Sequence, residues 1–108
     1  MNGNLGYCYE YGDGVKQDYA EAVKWYRLAA DQGNAMAQAN LGYFYLQGVG
    51  VQRDYAEGVK WTKLAAEQNQ ATAQYNLSLC YKNGHGVAAD QAEARRWHDL
   101  AIQNGYEE

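Results

Sequence analysis

Residues 41–54 read LGYFYLQGVGVQRD, and the same pattern stands at residues 5–18 (LGYCYEYGDGVKQD) and 77–90 (LSLCYKNGHGVAAD). Its fixed members are a leucine, a tyrosine four residues on, two glycines one residue apart, a valine and an aspartate, recurring every 36 residues without insertion. The register continues downstream through Trp25, Trp61 and Trp97, and through Leu28, Leu64 and Leu100. A strict period of this size means stacked supersecondary units rather than one central core. A unit of 36 residues cannot bury a core alone, so the three must lean on one another.

The middle unit shows how each folds. Ala35 to Gln47 contains no helix breaker and stops at Gly48, which can take the left-handed conformation that closes a helix. Gly50 allows a second tight turn, and Val51 is expected to plug the gap between helices. Asp54 with Glu57 three residues later is a capping-box pair opening a second helix, and it recurs as Asp18/Glu21 and Asp90/Glu93. The pattern predicts six helices in three antiparallel pairs: Asn2–Tyr11 with 18–32, Ala35–Gln47 with 54–68, and Ala71–Asn83 with 90–104. Small residues (Ala20, Ala29, Ala30 and their equivalents, with Gly6 and Gly42) are expected where the paired helices cross. Trp25 and Trp61 are expected to be buried, and Trp97 more exposed beneath a polar end stripe of Gln91, Arg95, His98 and Ile102.

Composition narrows the class. A formal net charge of −4 argues against nucleic acid or an acidic membrane as partner, because both need clustered cations. No apolar run approaches the roughly 18 residues needed to cross a bilayer. The polar start Met1-Asn2-Gly3-Asn4 does not resemble a signal peptide. Cys8 and Cys80 share a register two units apart, a separation expected to exceed the ~7 Å Cα limit of a disulfide. Both read as small core residues, which fits a reducing, cytoplasmic location.

Enzyme signatures are missing. The one serine, Ser78, lies inside a helix, and the histidines are His85 in a loop and His98 on the end stripe. Cys80 and His85 lie five apart with no third orienting residue for a nucleophilic dyad. Two cysteines and two histidines scattered over the array give no zinc signal. The reading is therefore no catalytic residue, no metal and no cofactor.

The pattern A-(x)3-NLG-(x)2-Y-(x)2-G-x-GV-(x)2-D-(x)5-W-(x)3-A resembles the Sel1-like repeat family, a relative of the tetratricopeptide repeat. It departs where Ser78 replaces a glycine and where the first turn of the first helix is missing. The resemblance covers essentially the whole chain: a single domain with repeats at about 1–34, 35–70 and 71–106. It implies an all-α solenoid of three helix-turn-helix repeats in a right-handed superhelix. It also implies a role in binding proteins or assembling complexes, without catalysis.

In the tetratricopeptide architecture that this resembles, one face of each first helix lines a concave groove. The candidate partner-binding residues on that face are Tyr7, Glu10 and Tyr11 in the first unit. They are joined by Met36, Tyr43, Leu46 and Gln47 in the second, and by Tyr75, Leu79, Lys82 and Asn83 in the third. A surface with this much apolar area and phenol marks an interaction site for a protein or peptide. Asn4, Asn40 and Asn76 recur at a mid-helix position that disfavours asparagine, either to hold a bound backbone or to tie neighbouring repeats. Two alternatives stay open: weak self-assembly through the N-terminal end, and RNA binding as in pentatricopeptide or Pumilio-type repeats. The acidic charge opposes the second alternative.

Overall fold

The computed structural model describes residues 2–108, with side chains from Asn4 onward. Among these residues there are six helices and no strand: α1 (Asn2–Tyr11), α2 (Tyr19–Asp31), α3 (Ala35–Gln47), α4 (Tyr55–Ala66), α5 (Ala71–Asn83) and α6 (Gln91–Gln103). The first helices match the expected bounds. The second helices start one residue later, with Asp18, Asp54 and Asp90 outside as N-caps, and end one or two residues earlier. The helices pack pairwise (α1 on α2, α3 on α4, α5 on α6), and the pairs join through α2 on α3 and α4 on α5.

Close approach sets the pairing. A Cβ at Gly42 in α3 would lie 2.9 Å from the Thr62 nitrogen and 3.0 Å from the Gly58 oxygen of α4. Gly6 meets the ring of Tyr26 in the same way. The left-handed turns fall at Gly48 (φ 71°) and Gly84 (φ 72°), each closing its helix. Gly58 replaces an alanine of the other repeats at about 1 kcal/mol of helix propensity, and the structure supplies the compensation. A Cβ there would meet Leu46 Cδ2 at 2.6 Å, so the glycine makes room for Leu46.

The aspartates cap as expected, but only half of the box forms. The Asp54 carboxylate accepts the Glu57 N–H at 3.1 Å, and Asp18 and Asp90 do the same for Glu21 and Glu93. The N–H of each aspartate, however, donates to a tyrosine carbonyl on the paired first helix: Asp18 to Tyr9, Asp54 to Tyr45, Asp90 to Tyr81. With that donor already used, Glu57 accepts instead from the indole of Trp61 at 3.1 Å, and Glu93 pairs with Arg96.

Two features of the joints repeat with the period. Gly50 lies against the backbone of Tyr19, and Gly86 against the backbone of Tyr55, so close that a Cβ would stand 2.6 and 2.5 Å from the carbonyl oxygens. The buried Gln38 donates to the Ala30 carbonyl at 3.1 Å and accepts from Gln68 at 2.7 Å. Gln74 likewise donates to the Ala66 carbonyl and accepts from Asn104. Each glutamine thereby satisfies a carbonyl at the end of the preceding helix, a group that burial would otherwise leave unpaired.

The expected order of tryptophan burial is corrected. Trp61 and Trp97 are 5% and 7% exposed, while Trp25 is only half-buried. Trp61 belongs to the cluster that holds Ala29 and Ala30 of α2, and Trp97 to the one that holds Ala65 and Ala66 of α4. Each tryptophan is therefore covered by the repeat before it, so the polar end stripe after Trp97 does not decide its exposure.

Candidate partner-binding surface

The first helices α1, α3 and α5 present side chains to a shared hollow of about 640 Å³. Tyr7, Glu10 and Tyr11 enter from α1, Met36 and Tyr43 from α3, and the recurrent Asn40 and Asn76 stand beside them. Tyr7, Tyr11, Met36 and Tyr43 are all exposed, and Tyr43 keeps 46% of its surface open. The rings of Tyr7 and Tyr11 lie against each other, with centroids 4.7 Å apart and planes tilted by 46°. Residues outside the expected set complete the lining: Ala39, Tyr26, Gln70, Thr72 and Tyr106.

Glu10 is the one charged residue among the described lining. Its Oε1 accepts the hydroxyl of Tyr26 at 2.7 Å. Burial and this bond to a carboxylate both push the Tyr26 phenol far above its ordinary pKa. The charge of Glu10 also raises Tyr11, by making a second negative charge beside it costly.

The third repeat's candidates lie elsewhere. Tyr75, Leu79 and Lys82 line a separate hollow of about 330 Å³ between α5 and α6, with Arg95 and His98. Tyr106 lines the first hollow and stacks on Tyr75, which lines the second, with centroids 4.2 Å apart and planes 10° from parallel. Glu108 Oε1 lies 2.9 Å from His98 Nε2, and this bond raises the His98 pKa above its usual value, with Asp99 adding to it. Leu46 is half-buried over Gly58 and packs against the second core cluster. Gln47 and Asn83 are exposed at the helix ends, and neither lines these two hollows.

Tyr106 was missed because it lies beyond the repeating motif. Gln38 and Gln74 were legible as a pair 36 residues apart, but nothing marked them as joint residues. Both cysteines are free, Cys80 buried with its thiol pushed up to about 11 by desolvation, and Cys8 half-buried. No group of three or more potential metal ligands occurs among the described residues, and no helix in them is long and apolar enough to cross a membrane.

Stacked helix pairs with an open face on their first helices define a helical-repeat protein. The Sel1 repeat model matches residues 3–34, 35–70 and 71–106, and the chain belongs to the Sel1 repeat family. Members are generally protein–protein interaction modules and typically non-enzymatic scaffolds. One similar solved structure is c5321, a protective antigen present in uropathogenic Escherichia coli strains and displaying an SLR fold. It has a TM-score of 0.94 and 46% identity, over 97% of this chain and 22% of that one. Another is a Sel1 repeat protein from Oxalobacter formigenes, with a TM-score of 0.91 and 38% identity over 96% of this chain and 43% of that one. The chain thus spans less than half the length of either. No curated protein sequence matches it.

Proposed function

We propose that the face built by α1 and α3, with the edge of α5, binds an extended or helical segment of a partner protein. The observation that carries this is the set of large side chains left open around one hollow: Tyr7, Tyr11, Met36 and Tyr43. Repeat stacking has no use for that exposure, and tyrosine offers broad contact area at low side-chain entropy cost. Among the described residues the lining carries no lysine or arginine, which speaks against RNA as the partner.

Selection from a displayed random peptide library, followed by calorimetry on the winners, tests this. Tyr43→Ala should weaken binding at least about tenfold, as loss of a central hot spot does, while leaving the melting temperature nearly unchanged. Winners that bind the variant as well as the parent would sink the proposal.

A second reading rests on a separate observation. Leu5 is 40% exposed, whereas its equivalents Leu41 and Leu77 are 0% exposed beneath the preceding repeat. Trp25 is half-buried, and nothing lies within 4 Å of the position of a Cβ at Gly14, where Gly50 and Gly86 are in contact. We propose that this apolar face supports weak self-association. Light scattering should then show a mass rising with concentration, abolished by Leu5→Asp; a constant mass would reject it.

A further inference from the structure

The concave-face reading leaves the chemistry of the partner open, and one residue narrows it. Glu10 sits at the hollow with its carboxylate fixed by the Tyr26 hydroxyl, and it forms no ion pair among the described residues. Around it stand three exposed phenol rings, Tyr7, Tyr11 and Tyr43. Elsewhere the chain lays its own cations on aromatic faces: Arg27 on Tyr45, Arg53 on Tyr55, Lys60 on Trp61 and Arg96 on Trp97. The rings of the hollow carry no such cation among the described residues.

We propose that the hollow receives an arginine side chain from the bound segment, with its guanidinium on the tyrosine rings and facing Glu10. This rests on the concave-face reading. The negative faces of the rings and the carboxylate attract the same charge from two directions. An apolar side chain would fill the space but would strip water from Glu10 without replacing its hydrogen bonds, and an acidic one would be repelled. Arginine suits the site better than lysine because its flat group stacks on a ring while its N–H donors reach a carboxylate. The net charge of −4 assists the approach of a basic segment.

The test uses short blocked glycine–serine peptides with one central residue: arginine, lysine, citrulline, leucine or glutamate. They are titrated into the 15N-labelled chain, at low and at high salt. The arginine peptide should shift the amides of Tyr7, Glu10, Tyr11 and Tyr43 saturably, and more weakly at high salt. Citrulline, which keeps the shape of arginine and lacks the charge, should bind at least about fivefold more weakly, as loss of a partly desolvated cation–π contact implies. Glu10→Gln keeps an acceptor for Tyr26 and should cost the arginine peptide a similar factor, with no change in melting temperature. Equal binding of the arginine and citrulline peptides, tighter binding of the leucine peptide, or no saturable shift with arginine would each overturn the proposal. If library-selected peptides without arginine bind the hollow and are lost with Tyr43→Ala, the concave-face reading survives and the arginine pocket alone fails.

Discussion

Gly42 faces the backbone nitrogen of Thr62 across the α3–α4 crossing at a distance that admits no Cβ. Beside the Thr62 hydroxyl, the obstructing atoms are main chain of α4, the Thr62 nitrogen and the Gly58 oxygen, and these cannot swing aside. Gly42→Ala should cost roughly 1–3 kcal/mol, the usual range for overpacking a tight core. Gly6→Ala meets the Tyr26 ring first, a side chain rather than backbone, and should cost less. Urea midpoints of the two variants check the order, and equal midpoints would contradict it.

Trp61→Ala should cost about 3–5 kcal/mol, because it opens a cavity at the joint between the first two repeats. Trp25→Ala should cost clearly less, since that indole is only half-buried. Thermal melts of the two variants separate these cases, and a Trp25→Ala loss as large as that of Trp61→Ala would refute the account of the joints.

Asp54→Ala should cost about 1 kcal/mol through the lost cap, and Asp18→Ala and Asp90→Ala should add to it almost independently. Each carboxylate accepts only from its own helix. Glu57→Gln should matter little to the cap, because its oxygen serves Trp61 rather than Asp54. Marked non-additivity in denaturant midpoints would reveal a further task for the aspartates.

His98 should titrate above its ordinary 6.5 through its bond to Glu108 and then Asp99. A raised folded pKa means that the stabilisation is complete below the unfolded value and disappears as pH climbs through the folded one. Glu108→Gln should bring the pKa back down in an NMR titration. No movement on that substitution would show that the carboxylate does not hold the ring.

The period, the glycine stops and the aspartate caps were legible in the sequence because each depends on local backbone geometry. Gly6 and Gly42 followed from the need for close crossing, whereas Ala29 and Ala30 are buried in the cluster that holds Trp61 of the next repeat and Ala20 is exposed. What could not be read was direction. Periodicity says that Trp25, Trp61 and Trp97 are equivalent, yet it does not say that the covering repeat lies on the N-terminal side. Leu46 was misread for a related reason: its burial depends on the missing side chain of Gly58, one helix away. The reciprocal half of the capping box failed because Tyr45, a distant carbonyl in the chain, claimed the N–H of Asp54 first. Among the groove candidates, Tyr7, Tyr11, Met36 and Tyr43 share one hollow, while those of the third repeat turn toward α6 and the stacked Tyr106.

The seating of Gly50 on Tyr19 and of Gly86 on Tyr55 sets main chain against main chain at each step between successive units, away from the open face. Side chains on the open face can therefore change without altering the pitch of the array. A family built this way can rewrite what each position grips while keeping the distances between grips constant, as interchangeable jaws on a common ruler would.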